Sequence, residues 1–284
     1  MISSYKGPFY NHAMMTKKSP DDVDQAIQDA DQLDLRSEIQ EDYGHHPILW
    51  PEWVFHALDF PDQARILELG SGSGRFWRQN LAQMPPGWKV CLSDVEWGML
   101  VKARQTLMEQ DGGAARHFHF LGADGQSLPF PDEDFDEVLA LGVLDLVPDL
   151  SRTLGEVRRA LRPQGQFVVS AGGKDHLSEL EALLDPFVPA HQVGGDETRF
   201  GLENGKALLS PFFKDVMRLD YRDQLTFTEA EPILEYALSE PVVVDSMRLT
   251  TLAQLTQALK TELSHQGEIH ITVHKGLFIA RGKI

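Results

Sequence analysis

The sequence holds a single cysteine, Cys91, among its 284 residues. One cysteine cannot form an intrachain disulfide and cannot supply a cysteine-based zinc cluster. The chain also lacks a run of about 20 apolar residues, the length that a helix needs to cross a bilayer. Its first residues carry no apolar signal-peptide core. We therefore expect a cytoplasmic protein without a membrane partner.

Basic residues are scarce: 26 Lys and Arg stand against 43 Asp and Glu, which gives a formal net charge of −17. Contacts with nucleic-acid phosphates require cations, so this balance argues against a nucleic-acid partner. It argues equally against an anionic membrane surface. Hydrophobic residues make up 42% and charged residues 24%, which is typical of a globular protein.

Short apolar runs alternate with helical patterns between residues 64 and 170. The runs predict strands at 65–69, 88–92, 117–121, 136–141 and 166–170, with two further strands at 216–221 and 269–280. Alternating strands and helices indicate an α/β fold. Nearly continuous apolar character is typical of strands that helices cover on both faces. The sequence predicts a doubly wound, mostly parallel sheet of seven strands.

Three segments can be distinguished along the chain. Residues 1–61 are predicted to form an N-terminal helical cap, because apolar residues recur at helical spacing after Asp21. Residues 62–173 form a ligand-binding core, and residues 174–284 complete the same domain. A helical insertion at 228–264 separates the last two strands. We expect the cap and this insertion to close over a small-molecule pocket.

A glycine-rich segment follows the first predicted strand, and it reads Glu68-Leu69-Gly70-Ser71-Gly72-Ser73-Gly74. Glycines let the backbone turn sharply and approach a ligand closely. In an open α/β sheet, ligands bind at the carboxyl ends of the strands. The dinucleotide pattern Gly-x-Gly-x-x-Gly fails in both registers, because Arg75 and Trp77 occupy the last position. The segment therefore favours a nucleoside without a pyrophosphate.

Two further acids end the second and third predicted strands. Asp94 could accept two hydrogen bonds from a ribose diol, and Asp124 could meet an adenine amino group. Taken singly, each acid could instead stabilise a turn or cap a helix. Together with Glu68 they make three acids at three successive strand ends. This arrangement makes a nucleoside site the better interpretation.

Residues 62–173 resemble the class I S-adenosylmethionine-dependent methyltransferases. The resemblance covers the runs at 68–74, 92–94, 122–125, 128–136, 147–149 and 161–167. It implies the Rossmann-like methyltransferase fold, S-adenosyl-L-methionine as cofactor, and transfer of its methyl group. The residues that it implies for cofactor binding are Glu68, Gly70, Ser71, Gly72, Gly74, Asp94, Val95, Trp97, Asp124, Gly125, Ala140 and Leu141.

The resemblance also implies how these residues divide the cofactor. Glu68 and the glycines would face the methionine end, and Asp94 would bind the ribose. Val95 and Trp97 would lie near the adenine, whose edge Asp124 and the Gly125 backbone would read. Ala140 and Leu141 would hold the methionine amino group through their main chain. Trp97 could equally be an ordinary core or surface residue.

Catalytic residues are less clearly marked. Many relatives carry a histidine-rich turn after strand four, where this chain has Asp145, which could orient an amine, act as a base or cap a helix. His176 follows the end of strand five and is our candidate base, although it could instead be a helix-terminal histidine. The predicted substrate pocket comprises Tyr10, Tyr43, His46 and His176. We expect no metal site.

Methyl transfer is an in-line displacement that depends mainly on placing the acceptor at near-attack distance. An oxygen acceptor needs a base, whereas an amine mainly needs to be unprotonated. We expect transfer to an N or O atom of a small molecule, and the acidic balance favours a neutral or cationic one. Two alternatives stay open, a protein or RNA methyltransferase and a cofactor-binding protein without this activity. The chain could be a monomer or a homodimer.

Overall fold

The computed structural model describes residues 20–110, 116–188, 199–240, 243 and 249–284. One seven-stranded sheet runs in the order β3-β2-β1-β4-β5-β7-β6. Its strands are β1 (Arg65–Leu69), β2 (Lys89–Asp94), β3 (Phe118–Gly122), β4 (Phe135–Ala140), β5 (Leu161–Gly172), β6 (Phe213–Phe227) and β7 (Ile269–Lys283). Strands β1 to β5 pair in parallel, and β7 is antiparallel to β5 and β6. The predicted doubly wound fold is confirmed.

Helices connect the strands and pack on both faces of the sheet. They are α1 (Pro20–Tyr43), α2 (Trp50–Ala57), α3 (Arg75–Asn80), α4 (Trp97–Gln110), α5 (Leu150–Ala160), α6 (Ser178–Leu184), α7 (Gly205–Leu209), α8 (Glu231–Leu238) and α9 (Leu249–Gln266). Among the described residues, none of these helices is both long and apolar enough to cross a bilayer. Helices α8 and α9 lie between β6 and β7, where the insertion was predicted.

The sixth strand is much longer than its sequence pattern indicated. The pattern predicted residues 216–221, whereas β6 runs from Phe213 to Phe227 and pairs with β7 along its length. Buried and exposed positions mix along β6, so its apolar run marks only part of the strand. An antiparallel edge strand has one solvated face, and its polar positions hide its true length.

Buried apolar residues form three clusters. The first, which includes Leu67 and Phe167, covers one face of the sheet, and the second, which includes Ile66 and Trp77, covers the other. The third joins Ile39 of α1 to the paired strands β6 and β7 and to the insertion helices. The N-terminal helix is thus packed against the C-terminal part of the chain.

Polar contacts fix α1 across the segment that follows β1. Asp34 accepts a hydrogen bond from Ser73 Oγ at 2.6 Å and pairs with Arg78 at 3.1 Å. Arg75 donates to Glu38 at 3.0 Å and to Glu41 at 2.7 Å. These contacts place α1 over the carboxyl edge of the sheet. The division into cap, core and C-terminal part stays a prediction.

Candidate functional site

The backbone of the turn between β1 and α3 borders an open space. Gly70 and Gly72 have φ angles of +62° and +53°, in the left-handed region that favours glycine. A Cβ on Gly70 would lie 2.4 Å from Val143 Cγ2, whereas a Cβ on Gly72 would meet nothing within 4 Å. Gly70 is therefore required by packing. Gly72 borders a space that a ligand could occupy.

Two side chains beside this space have unused hydrogen-bonding capacity. Asp94 accepts hydrogen bonds from Gly72 N at 3.0 Å through Oδ2 and from Glu96 N at 2.8 Å through Oδ1. The Val95 backbone N–H also interacts with this carboxylate, whose roughly four lone-pair sites leave capacity for a hydroxyl group. Among the described residues, the buried Ser71 Oγ has no hydrogen-bond partner. Burial raises the pKa of Asp94.

Glu68 lies beneath the turn and is almost fully buried. Its Oε2 accepts a hydrogen bond from Trp77 Nε1 at 2.6 Å, so the side chain is directed toward α3. Burial, with a smaller contribution from the Asp94 charge, raises the pKa of Glu68 to about 8. Its assignment to the methionine end of a cofactor stays a prediction.

The loops after β2 and β3 are joined at the same edge. Ala123 N donates to Asp94 O at 3.0 Å, and Asp124 Oδ1 accepts from Gln126 N at 2.8 Å. Trp97 begins α4, and a Cβ on Gly122 would lie 3.9 Å from its Cε3 atom. The side chains of Asp124 and Trp97 are both partly buried. These loops form one wall of the site.

The remaining predicted cofactor residues border the same edge. Val95 is exposed directly after β2, and Gly125 follows Asp124 in the neighbouring loop. Ala140 ends β4 and pairs with Leu69 at the end of β1. Leu141 is partly buried. The predicted residues thus come from the carboxyl ends of four adjacent strands.

Open space at Gly72, free lone pairs on Asp94 and an unpartnered Ser71 hydroxyl fit a nucleoside with a ribose diol. The residues present therefore fit S-adenosylmethionine as the group that this edge would hold. The individual assignments stay predictions.

Asp145 does not cap the following helix. It lies in a turn, and Asp149 is the residue that caps α5 by accepting a hydrogen bond from Arg152 N at 2.9 Å. Burial raises the pKa of Asp145, and the charge of Arg199 opposes that shift. Asp145 stays a candidate for orienting an acceptor.

His176 lies just beyond β5, packed against Gly172. Its Nδ1 accepts a hydrogen bond from His274 N at 3.3 Å. Burial lowers the pKa of His176 to about 3, so the imidazole is neutral at physiological pH. With Nδ1 occupied, the proton resides on Nε2, which can donate to an acceptor. Its assignment as a base stays a prediction.

The other predicted pocket residues have different surroundings. Tyr43 ends α1 and its ring stacks on Phe227 with centroids 4.7 Å apart. The ring of His46 lies 4.2 Å from Tyr221, and its backbone N–H donates to Asp223 Oδ1 at 2.8 Å. Tyr10 lies outside the described residues. Within the described chain, no group of three His, Cys, Asp or Glu residues could hold a metal ion.

A pocket lies under α1 and α2, and of the residues predicted for the substrate pocket it includes His46. Its walls include Gln40, Glu41, His46, Trp50, Tyr221 and Lys275. Lys275 was not among the predicted site residues, although a lysine inside a largely apolar strand was a signal for it. Helix α1 brings Gln40 and Glu41 to this pocket from a distant part of the sequence.

Residues 67–169 match the model of a family described as a methyltransferase domain. The chain is 31% identical over 121 residues to the ubiquinone/menaquinone biosynthesis C-methyltransferase UbiE of Hahella chejuensis, covering 43% of this chain and 48% of the relative. It is 26% identical over 158 residues to the UbiE protein of Pectobacterium atrosepticum, covering 56% of this chain and 61% of the relative. The chain thus spans roughly half of these relatives' length.

Solved structures share the fold at low identity. The YcgJ protein of Bacillus subtilis has a TM-score of 0.56 and 18% identity, with 82% of this chain and 98% of that chain covered. Phosphoethanolamine N-methyltransferase 2 of Haemonchus contortus, in complex with phosphomonomethylethanolamine and S-adenosylhomocysteine, has a TM-score of 0.51 and 15% identity. The alignment to it covers 82% of this chain and 52% of that chain. These similarities show the fold.

Proposed function

This chain is built around a class I S-adenosylmethionine-dependent methyltransferase domain, and we propose that it transfers the methyl group to an N or O atom of a small molecule. The observation that carries the proposal is the paired arrangement of Gly72 and Asp94. The Gly72 backbone borders open space, and Asp94 presents carboxylate lone pairs beside it. Both lie at the carboxyl edge of the sheet, where α/β folds bind ligands.

When bound, S-adenosylmethionine supplies an electrophilic methyl group on a sulfonium. The chain's own residues would supply position: Asp94 would accept hydrogen bonds from the ribose hydroxyls, and the backbone at Gly72 would allow close approach. Placement at near-attack distance contributes a large share of the rate enhancement in such displacements. A strongly basic side chain is therefore not required for an unprotonated amine.

The position of α1 supports a small acceptor. Arg75 directly follows the glycine segment, and its guanidinium is held by Glu38 and Glu41 of α1. A helix fixed across the glycine segment restricts access at the edge where a folded macromolecule would have to dock. A protein or RNA acceptor is therefore the weaker alternative.

Carbon is a second candidate for the acceptor atom. The relatives from Hahella chejuensis and Pectobacterium atrosepticum are named C-methyltransferases. Similarity over part of the chain supports a shared cofactor site more strongly than a shared acceptor. The acceptor atom is therefore a question for product analysis.

The test begins with calorimetric binding of S-adenosylmethionine and S-adenosylhomocysteine. A methyl-transfer screen over amines, phenols, carboxylic acids and carbon nucleophiles follows, with the methylated atom located by NMR. Transfer to N or O of a small molecule supports the proposal. Methylation of carbon would favour the second candidate, and methylation only of protein or RNA would overturn both. Cofactor binding without any turnover would support the alternative of a cofactor-binding protein.

A further inference from the structure

Lys275 lies on β7 at the same edge of the sheet as the cofactor residues. In the sheet it is paired with Gly172, the last residue of β5, and with Tyr221 of β6. The parallel strand β5 has its carboxyl end there, so Lys275 reaches the ligand side of the fold. It is partly buried in the pocket under α1 and α2.

The surroundings of its ammonium group are mostly aromatic. Nζ lies 4.7 Å from the centroid of the Trp50 ring and 5.9 Å from that of Tyr221. It donates one hydrogen bond, to Gln40 Oε1 at 2.8 Å. Within the described parts of the chain, no carboxylate oxygen lies within 4.0 Å of Nζ. An ammonium group has three donors, so two have no acceptor among the residues that the structure describes and could serve a ligand.

The nearest carboxylates are engaged elsewhere. Glu41 accepts hydrogen bonds from Arg75 at 2.7 Å and from Gln79, and Asp223 accepts from the backbone N–H groups of His45 and His46 at 2.8 Å each. Their charges act on Lys275 from a distance without a direct pair. Desolvation outweighs them and lowers the pKa of Lys275 to about 8.

A desolvated amine without an ion pair, between aromatic walls and at a ligand edge, is an arrangement more typical of binding sites than of packing. If this side chain only filled space, an apolar residue would give a more stable fold, because it carries no charge that loses its hydration. The aromatic rings offer flat faces to a planar molecule.

We propose that Lys275 binds a carboxylate of the methyl acceptor, while a planar apolar body lies against Trp50 and Tyr221. The inference rests on the proposed function for the identity of the ligand as the acceptor. It revises the expectation of a neutral or cationic acceptor, because the local charge of the pocket differs from that of the whole surface.

Helix α1 connects this pocket to the cofactor site. Gln40 contacts Lys275, and its neighbour Glu41 holds Arg75, the first residue after the glycine segment. An acceptor anchored at Lys275 would therefore lie under the same helix, and at the same edge of the sheet, as the turn at which the cofactor would bind. His176 follows the end of β5, and its pKa is lowered by burial and, to a smaller extent, by the Lys275 charge.

The experiment measures calorimetric binding of three probes that differ in one group: 4-hydroxybenzoate, 4-hydroxybenzamide and 4-(aminomethyl)phenol. The wild-type protein is expected to bind the acid about tenfold more tightly than the amide. Lys275→Met should abolish that difference, because it keeps an unbranched side chain of similar size and removes the charge. Lys260→Met, on an exposed face of α9, is the matched control.

Equal binding of acid and amide by the wild-type protein would overturn the inference. This comparison does not depend on whether a variant folds. Preference for the amine would overturn it as well. Cofactor binding and methyl transfer are measured on the same samples, so the two proposals fail separately. If the protein transfers methyl groups but shows no preference for acids, only the role of Lys275 is contradicted. If it prefers acids through Lys275 but does not bind the cofactor, only the proposed function is contradicted.

Discussion

Asp94 Oδ2 accepts a hydrogen bond from Gly72 N at 3.0 Å, and this contact joins the carboxyl end of β2 to the glycine segment after β1. One carboxylate thereby fixes a loop and offers lone pairs to a ligand. The same two residues mark the position at which the domain would hold its cofactor. Substitutions at these two residues therefore test the cofactor site directly.

Replacement of Asp94 by Ala should weaken S-adenosylmethionine binding by about 1–3 kcal/mol, because a charged hydrogen-bond acceptor for the ribose is lost. Calorimetry measures the change. Asp149→Ala is the control, since it removes the α5 cap and should lower stability without altering cofactor affinity. Unchanged affinity in Asp94→Ala would contradict the assigned ribose site.

Alanine at Gly70 and at Gly72 should separate folding from binding. Both substitutions strain a left-handed backbone, at a cost of about 1–2 kcal/mol each. At Gly70 the added methyl would also clash with Val143 and destabilise the fold by roughly 1–3 kcal/mol more. At Gly72 it would meet no protein atom within 4 Å and would instead project into the space assigned to the cofactor.

Thermal melts and cofactor calorimetry on both variants measure these effects. Gly70→Ala should have the lower melting temperature, and Gly72→Ala should have the larger loss of affinity relative to its loss of stability. The reverse order would show that the open space at Gly72 is not the cofactor site.

Glu68 should make stability depend on pH. Its folded-state pKa of about 8 lies above its ordinary value of 4.5, so the folded state binds more protons between these values. Stability from this group is present at pH 4.5 and is lost as the pH rises toward 8. Glu68→Gln should therefore be more stable than wild type at pH 8.5, by roughly 1–3 kcal/mol.

Urea unfolding of wild type and Glu68→Gln at pH 5 and pH 8.5 measures this difference. The pKa of Glu137 is also raised to about 8, so the wild-type curve alone contains both groups and only the difference between the two proteins isolates Glu68. A difference that does not grow with pH would show that Glu68 is ionised in the folded protein.

His176 should contribute to turnover without titrating near neutrality. Its pKa of about 3 leaves it neutral from pH 6 to 9, so His176→Gln should lower kcat while leaving the shape of the pH profile in that range unchanged. The exposed His265→Gln on α9 should alter neither. An acidic limb near pH 7 that disappears in His176→Gln would instead identify the imidazole as the base.

Much of the fold was accessible from the sequence. Strand β1 was predicted at its observed bounds, and the second to fourth strands shifted by one or two residues, because strands covered on both faces read as continuous apolar runs. Strand β6 was predicted too short, since its polar positions follow a solvated face. The glycine segment and Asp94 could be predicted because each is marked by residues that are close together in the sequence, at the end of an apolar strand.

The sheet, the cofactor class and the acids at the strand ends could be predicted from the amino-acid sequence, since each depends on residues that are neighbours along the chain. The hydrogen-bond partner of each acid depends on the tertiary structure: Glu68 accepts a hydrogen bond from Trp77, and Asp149 rather than Asp145 caps α5. The tertiary structure also placed Gln40 beside Lys275, because these residues are 235 positions apart and meet only when α1 packs across the finished sheet. Net charge is a sum over the whole surface, whereas recognition depends on the few groups that folding brings together.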